Sequence, residues 1–158
     1  MIGQEKFRTV MGHFSTGVTV VASLKPDGEP IGLTVNAFTS VSLEPPTVLV
    51  SLHKRAAGHD PLLRAGHFGV SILSAQQRAL AFRFSENDPD DRFRGVDFEL
   101  GSLGSPLITG GIAWLECKVR DVFPGVDHDL VLGEVVDCGA GEGEPLLFFR
   151  GSLQGINP

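Results

Sequence analysis

Cysteine is scarce in this 158-residue chain: Cys117 and Cys138 are the only two, and neither belongs to a C-x-x-C pair or stands beside a histidine cluster. That spacing excludes a disulfide framework and a zinc ribbon, so both thiols are expected to be reduced, in the core or at a sheet edge. Positive charge is also short, with 13 Lys and Arg against 19 Asp and Glu and a net charge of −6. Neither a nucleic-acid footprint nor attraction to an anionic membrane surface follows from that balance. No apolar run approaches the roughly 18 residues of a membrane span, and the segment MIGQEKFRTVMGHF is too charged for a signal peptide, which makes cytoplasmic residence the expectation. The G-x-G-x-x-G fingerprint, a G-x-S-x-G elbow, a Ser-His-Asp arrangement, paired carboxylates in an apolar context and internal repeats are all missing. A Rossmann reductase and a hydrolase with its own nucleophile are thereby disfavoured.

What the chain does have is turns. Twenty glycines and ten prolines are spread along it, while 42% apolar residues is ordinary for a globular protein. One domain over residues 1–158 is expected, long enough to bury about two thirds of the surface of the unfolded chain. Phe7, Val10, Met11 and Phe14 recur at i, i+3, i+4 and i+7, which predicts an N-terminal helix capping one side of the fold. Residues 17–24 read as a strand, Pro26-Asp27-Gly28 as a hairpin turn, and Ile31 as the start of the next strand. Asp60 and Pro61 predict an N-cap and first helical residue for a short helix ending near Gly66, followed by a strand over 68–73. Ser74 and Gln77 form a capping-box pattern ahead of a helix with Leu80 and Phe84 on its apolar side. Residues 86–95 are a charged loop with Phe93 as its one apolar anchor, and 139–145 (GAGEGEP) read as an exposed acidic loop. Residues 112–122, 129–136 and 146–153 complete a set of β segments, with Trp114 packing the core from one of them. Many antiparallel strands with few helices predict a mainly β, barrel-like domain.

The segment GLTVNAFTSVSLEPPTVLVSL (32–52) carries the functional signal, because a small-residue, hydroxyl-bearing bend lies between two apolar strands. Gly32, Thr34, Val35, Asn36 and Ala37 leave the backbone open to close approach by a planar ligand, and Thr39, Ser40 and Ser42 add hydroxyls. Pro45-Pro46 then removes two donors and punctuates the chain before an apolar β run resumes at Thr47. This segment resembles the signature of the short-chain flavin reductases, the reductase components of two-component flavin-dependent monooxygenases. The likeness continues through 14–23 (FSTGVTVVAS), 66–85, 91–119, 125–135 (GVDHDLVLGEV) and 145–151 (PLLFFRG), in order along almost the whole chain. The resemblance implies an FMN-binding split β-barrel with Greek-key-like connections and a few short flanking helices, a homodimer, and flavin held near the subunit interface.

It also implies site residues. Thr34, Val35, Asn36 and Ala37 would line the isoalloxazine and ribityl chain, Ser40 would donate a hydroxyl, and Ser51 and Leu52 would form the facing strand. The turn of His53, Lys54, Arg55, Ala56 and Ala57 falls where relatives grip the flavin phosphate, and adjacent cations suit an anion. Relatives commonly carry a hydroxyl there, whereas this chain has Ala56, Ala57, Gly58 and His59, so the expected phosphate ligands are backbone N–H groups and Lys54 or Arg55, with His59 as a further candidate. In Val126-Asp127-His128 the family's usual glycine is replaced by valine, and His128 is the expected contact to NADH or NADPH. His13 and His67 read as structural.

Hydride transfer from a nicotinamide to FMN or FAD needs no protein nucleophile, only stacking and orientation of two cofactors. The leading expectation is therefore an NAD(P)H:flavin oxidoreductase supplying free reduced flavin to a separate monooxygenase. A non-catalytic flavin- or haem-binding protein on the same barrel is the alternative. The retained Asp127-His128 pair favours the reductase.

Overall fold

The run Val18 to Ala22 is buried on both strand faces, so it reads as unbroken β-branched and small residues without alternation. It sits inside a mostly β structure; the computed structural model describes residues 1–156. The elements are α1 (Gln4–Met11), β1 (Thr16–Gly17), β2 (Thr19–Leu24), β3 (Pro30–Val35), β4 (Phe38–Leu43), β5 (Pro46–His53), α2 (His59–Ala65), β6 (His67–Ile72), α3 (Arg78–Glu86), β7 (Phe98–Leu100), β8 (Pro106–Ile108), β9 (Ala113–Pro124), β10 (His128–Ala140), β11 (Leu147–Phe149) and β12 (Ser152–Gln154).

Seven strands form one antiparallel sheet in the order β3-β2-β6-β9-β10-β5-β4. β3 and β4 are consecutive in the chain yet lie at opposite edges of that sheet, joined only by Asn36 and Ala37. Three Cα–Cα steps span at most roughly 11 Å, so the sheet has to curl until its edges meet. The result is the split barrel, with its seam at Asn36-Ala37. Val21, Val35, Val48, Val50, Leu52, Phe68, Val70 and Val131 fill the interior. A second apolar cluster covers the outside of β2, where Val18, Val20 and Ala22 meet Ala81 and Phe84 of α3 and Phe93 of the following loop. The Phe84, Phe93 and Phe98 rings meet edge to face at centroid separations of 4.8 and 5.1 Å, which fastens the charged loop as its single apolar anchor suggested.

Several expectations change in detail. The apolar face of α1 does not cap the fold: Phe7, Val10, Met11 and Phe14 are all exposed. α2 begins two residues early, at His59 with Gly58 as N-cap, leaving Pro61 inside the first turn, and ends as expected at Gly66, which lies in the left-handed region (φ 71°). Residues 38–43 are a strand, not a bend, and the turn comes after it at the cis Glu44-Pro45 bond. β10 runs on to Ala140 into the stretch read as loop, and 146–153 breaks into β11 and β12 around Arg150 and Gly151. Trp114 lies in a strand as expected but is only half-buried. Gln77 does close the capping box, accepting from the Ser74 N–H at 3.0 Å. Cys117 is fully buried, and burial pushes its thiol up to about 12, whereas Cys138 on β10 is exposed.

Glu116 is a buried carboxylate that the β pattern of LECKV did not announce. Fully buried on β9, it accepts hydrogen bonds from the Leu103 N–H (2.9 Å), the Ser105 N–H (3.0 Å) and the Ser102 hydroxyl (3.0 Å). Burial alone would raise its pKa, but the donors of Ser105, Leu103 and Ser102 outweigh that and hold it below the ordinary carboxylate value. The 102–105 loop between β7 and β8 is thus tied to the barrel wall. Replacing Glu116 with alanine strands three donors and is expected to destabilise the protein by roughly 2–4 kcal/mol. Glu116→Gln should cost less, since one acceptor oxygen survives, and urea unfolding midpoints of the two variants check the order.

Candidate functional site

The seam that closes the barrel also opens the site. Asn36 and Ala37 are exposed there, and they line a crevice of about 610 Å³ with Met11, Phe14, Thr16, Phe38, Thr39, Leu49 and Phe148. Arg8, Gly12 and Gly151 complete its rim. Such a volume, with apolar walls and a few polar groups, is that of a small-molecule pocket. Of its polar side chains, Thr39 donates its hydroxyl to the Ser40 carbonyl at 3.3 Å, and the Asn36 carboxamide has no hydrogen-bond partner among the described residues. The Thr16 hydroxyl is buried and equally without a partner, a state that costs about 1–3 kcal/mol unless a ligand satisfies it. A flat ring with polar edges fits this arrangement, and a flavin is such a ring.

The expected ligands divide by strand alternation. Thr34 faces α3, where its hydroxyl donates to the Ala81 carbonyl at 2.6 Å, and with Asn36 it lines a smaller cavity of about 200 Å³ beside Phe82 and Phe148. Val35 and Leu52 point into the barrel core, leaving only their main-chain groups available. Ser51 lies beside the seam, its N–H donating to the Ala37 carbonyl at 3.0 Å. Two residues further along β5 comes His53, whose Nδ1 accepts from the Arg55 N–H at 3.0 Å.

In the turn after β5 the two cations have different fates. Lys54 is spent on the β9–β10 hairpin: its ammonium donates to the Gly125 carbonyl at 2.6 Å and lies 3.5 Å from Asp129. Arg55 is exposed, and its guanidinium has no partner among the described residues, nor does Ala57 turn its side chain inward. His59, expected near a phosphate, is instead buried between two carboxylates, with Nδ1 2.8 Å from Asp60 and Nε2 2.8 Å from Asp129. Burial would lower the His59 pKa, but the hydrogen bonds to Asp60 and Asp129 and their charge raise it. Asp129 is held below the ordinary carboxylate value, chiefly by His59 and then by Lys54.

His128 starts β10 directly across from His53, the rings meeting edge to face at 4.9 Å. Its Nδ1 is 2.9 Å from the Asp127 carboxylate, and that hydrogen bond keeps Asp127 ionised to lower pH than usual. The Gly125 N–H closes the hairpin on the His128 carbonyl at 2.9 Å, so Val126 at the tip is carried fully exposed. The structure therefore places Asn36 and Ala37 at the seam with Ser51 beside them, and His53, Arg55 and His128 at the adjoining strand ends, whereas Ser40 on β4, opposite Val48, is exposed and does not line the crevice. The walls supplied by Met11, Phe14 and Phe148 were missed. The i, i+3, i+4, i+7 face of α1 and the 145–151 block held that signal, but the first was read as a cap on the fold and the second as a β segment.

Residues 11–157 match the flavin reductase like domain family. The chain belongs to that family. Among its relatives, the reductase subunit HsaB of a flavin-dependent monooxygenase from Rhodococcus jostii is 39% identical over 158 residues, covering 99% of this chain and 80% of the relative. The FMN reductase (NADH) SmoA of Agrobacterium fabrum is 42% identical over 147 residues, 93% and 83% of the two chains. The NADH:FAD oxidoreductase SgcE6 of Streptomyces globisporus superposes with a TM-score of 0.92 at 40% identity, covering all of this chain and 98% of that one. As in those flavin reductases, the fold is a split barrel.

The buried His59–Asp129 contact gives this flavin reductase a pH signature. Because the His59 pKa is raised on folding, its contribution is complete below the ordinary 6.5 and is lost as pH rises through the folded value. Because the Asp129 pKa is depressed, its contribution is complete above the ordinary 3.8 and is lost as pH falls through the folded value. Thermal unfolding temperature is expected to fall as pH rises above the ordinary 6.5, and His59→Gln should flatten that slope.

Proposed function

We propose that this protein is an NAD(P)H:flavin oxidoreductase that transfers a hydride from NADH to FMN or FAD and releases the reduced flavin to a separate monooxygenase. Membership of the flavin reductase family supports the reaction, and the names of HsaB and SmoA support NADH as donor and a monooxygenase as consumer. The observation that carries the reading is the crevice at the barrel seam, with its apolar walls and unpartnered Asn36 and Thr16 groups. Bound flavin supplies the electron-accepting ring, so the protein has only to hold it flat and exclude water.

In this reading Asn36 and the main chain of Thr34, Val35 and Ala37 take the polar edge of the ring, and Ser40 and Ser51 the ribityl chain. Phe14, Leu49 and Phe148 cover its faces. Arg55 takes the phosphate, since Lys54 is already held by Asp129 and Gly125. His128, oriented by Asp127 and backed by His53, borders the nicotinamide. The exposed apolar face of α1, part of which forms the crevice rim, supports a homodimer in which a second copy covers it.

Anaerobic mixing with NADH and NADPH in turn, against FMN and FAD in turn, tests the activity through loss of flavin absorbance. Bleaching with NADH is expected, and no oxidation of either nucleotide at saturating flavin overturns the proposal. Arg55→Gln should raise the KM for FMN about tenfold, the cost of one charge-assisted hydrogen bond, and leave the KM for NADH unchanged.

A further inference from the structure

A second cationic site adjoins the crevice. A cleft of about 570 Å³ is lined by Arg8, Thr9, Gly12, His13, Arg150 and Gly151, three of which, Arg8, Gly12 and Gly151, also form the rim of the crevice. No residue of the Arg55 turn lines either space. In a chain with an excess of acids, no carboxylate lines this cleft, whereas Glu99 and Asp137 line the cavity beside Trp114 and Glu86 the one beside Thr34. Neither Arg8 nor Arg150 has a carboxylate within ion-pair distance among the described residues.

Arg150 is also held where an arginine is disfavoured. It is the only non-glycine residue with positive φ (51°) among the described residues, a left-handed conformation that glycine adopts freely. Its N–H donates to the Gly12 carbonyl at 2.7 Å, and its guanidinium lies 5.2 Å over the Phe149 ring. His13, fixed by a 2.8 Å hydrogen bond from Nδ1 to the Thr9 carbonyl, packs edge-on to the same ring at 6.3 Å. Arg8 and Arg150 thus line one cleft, which shares Arg8, Gly12 and Gly151 with the crevice.

We propose that the Arg8–Arg150 cleft binds the adenosine diphosphate portion that FAD and NADH share and FMN lacks. The inference rests on reading the crevice as the flavin site. A planar guanidinium pair matches a diphosphate, and the arginine fork gives two-point recognition that a lysine cannot. FMN, with its single phosphate, is served by the Arg55 turn and does not require this cleft.

Arg150→Gly separates binding from folding, because it removes the guanidinium and relieves the left-handed backbone together. The full-length variant is expected to unfold at the same temperature as the parent or higher. Its KM should rise about ten- to a hundredfold for FAD but not FMN if the adenylate of the flavin occupies the cleft, or for NADH with either flavin if that of the nicotinamide does. Arg150→Lys should recover part of the loss. Unchanged KM values in folded Arg150→Gly, or equal rises for FMN and FAD alone, overturn the proposal. Calorimetric titration with ADP requires no turnover: binding to the parent that weakens tenfold in the variant supports the cleft even if NADH oxidation is absent, and equal or no binding refutes it while leaving a flavin-reducing parent intact.

Discussion

Two residues, Asn36 and Ala37, have to connect the two outermost strands of a seven-stranded sheet, and that distance constraint governs the rest of the molecule. It forces the sheet to roll up, which places Val35 against Val48, Val50 and Leu52 in one interior. It also leaves Asn36 and Ala37 exposed to solvent, although the Ala37 carbonyl still accepts from the Ser51 N–H of β5. Closure and ligand access therefore come from the same pair of residues. Larger side chains at this link would serve neither, which accounts for the small, polar Asn-Ala sequence between a valine and a phenylalanine.

Around that seam the structure pairs its buried carboxylates with donors from neighbouring elements. Glu116 is satisfied by three donors from one loop, and Asp129 by His59 and Lys54. Each carboxylate fastens a surface segment to the barrel: the β7–β8 connection in one case, the start of α2 and the β9–β10 hairpin in the other. The Asn36, Thr16 and Arg8 side chains, which have no hydrogen-bond partner among the described residues, line the open spaces instead.

Much of this was legible from residue patterns. The β2–β3 hairpin, the Ser74 capping box, the Phe93 anchor and the Asn36 bend all follow from local chemistry, which acts over a few residues and leaves its mark in spacing. β4 escaped because an exposed edge strand rich in serine and threonine, FTSVSL, lacks the apolar alternation that announces a half-buried one. β7 and β8, three residues each, are too short to show a period at all. The α1 face was seen but given to the wrong surface, since periodicity shows that a face is apolar and not what it meets. Lys54 and Arg55 are neighbours in sequence and looked equivalent; only the approach of Gly125 and Asp129 from the distant β9–β10 hairpin distinguishes them. The same holds for Arg8 and Arg150, which no linear motif joins.

The two thiols differ in a way that has a practical side. Cys117 is sealed in the barrel and stays protonated to about 12, so it offers alkylating reagents neither access nor thiolate. Cys138 stands on the outer length of β10, opposite Leu115 and exposed to solvent. The native chain thus comes with one addressable handle, where a dye or spin label can be attached without engineering and without disturbing the seam, to report on docking of other proteins against the barrel.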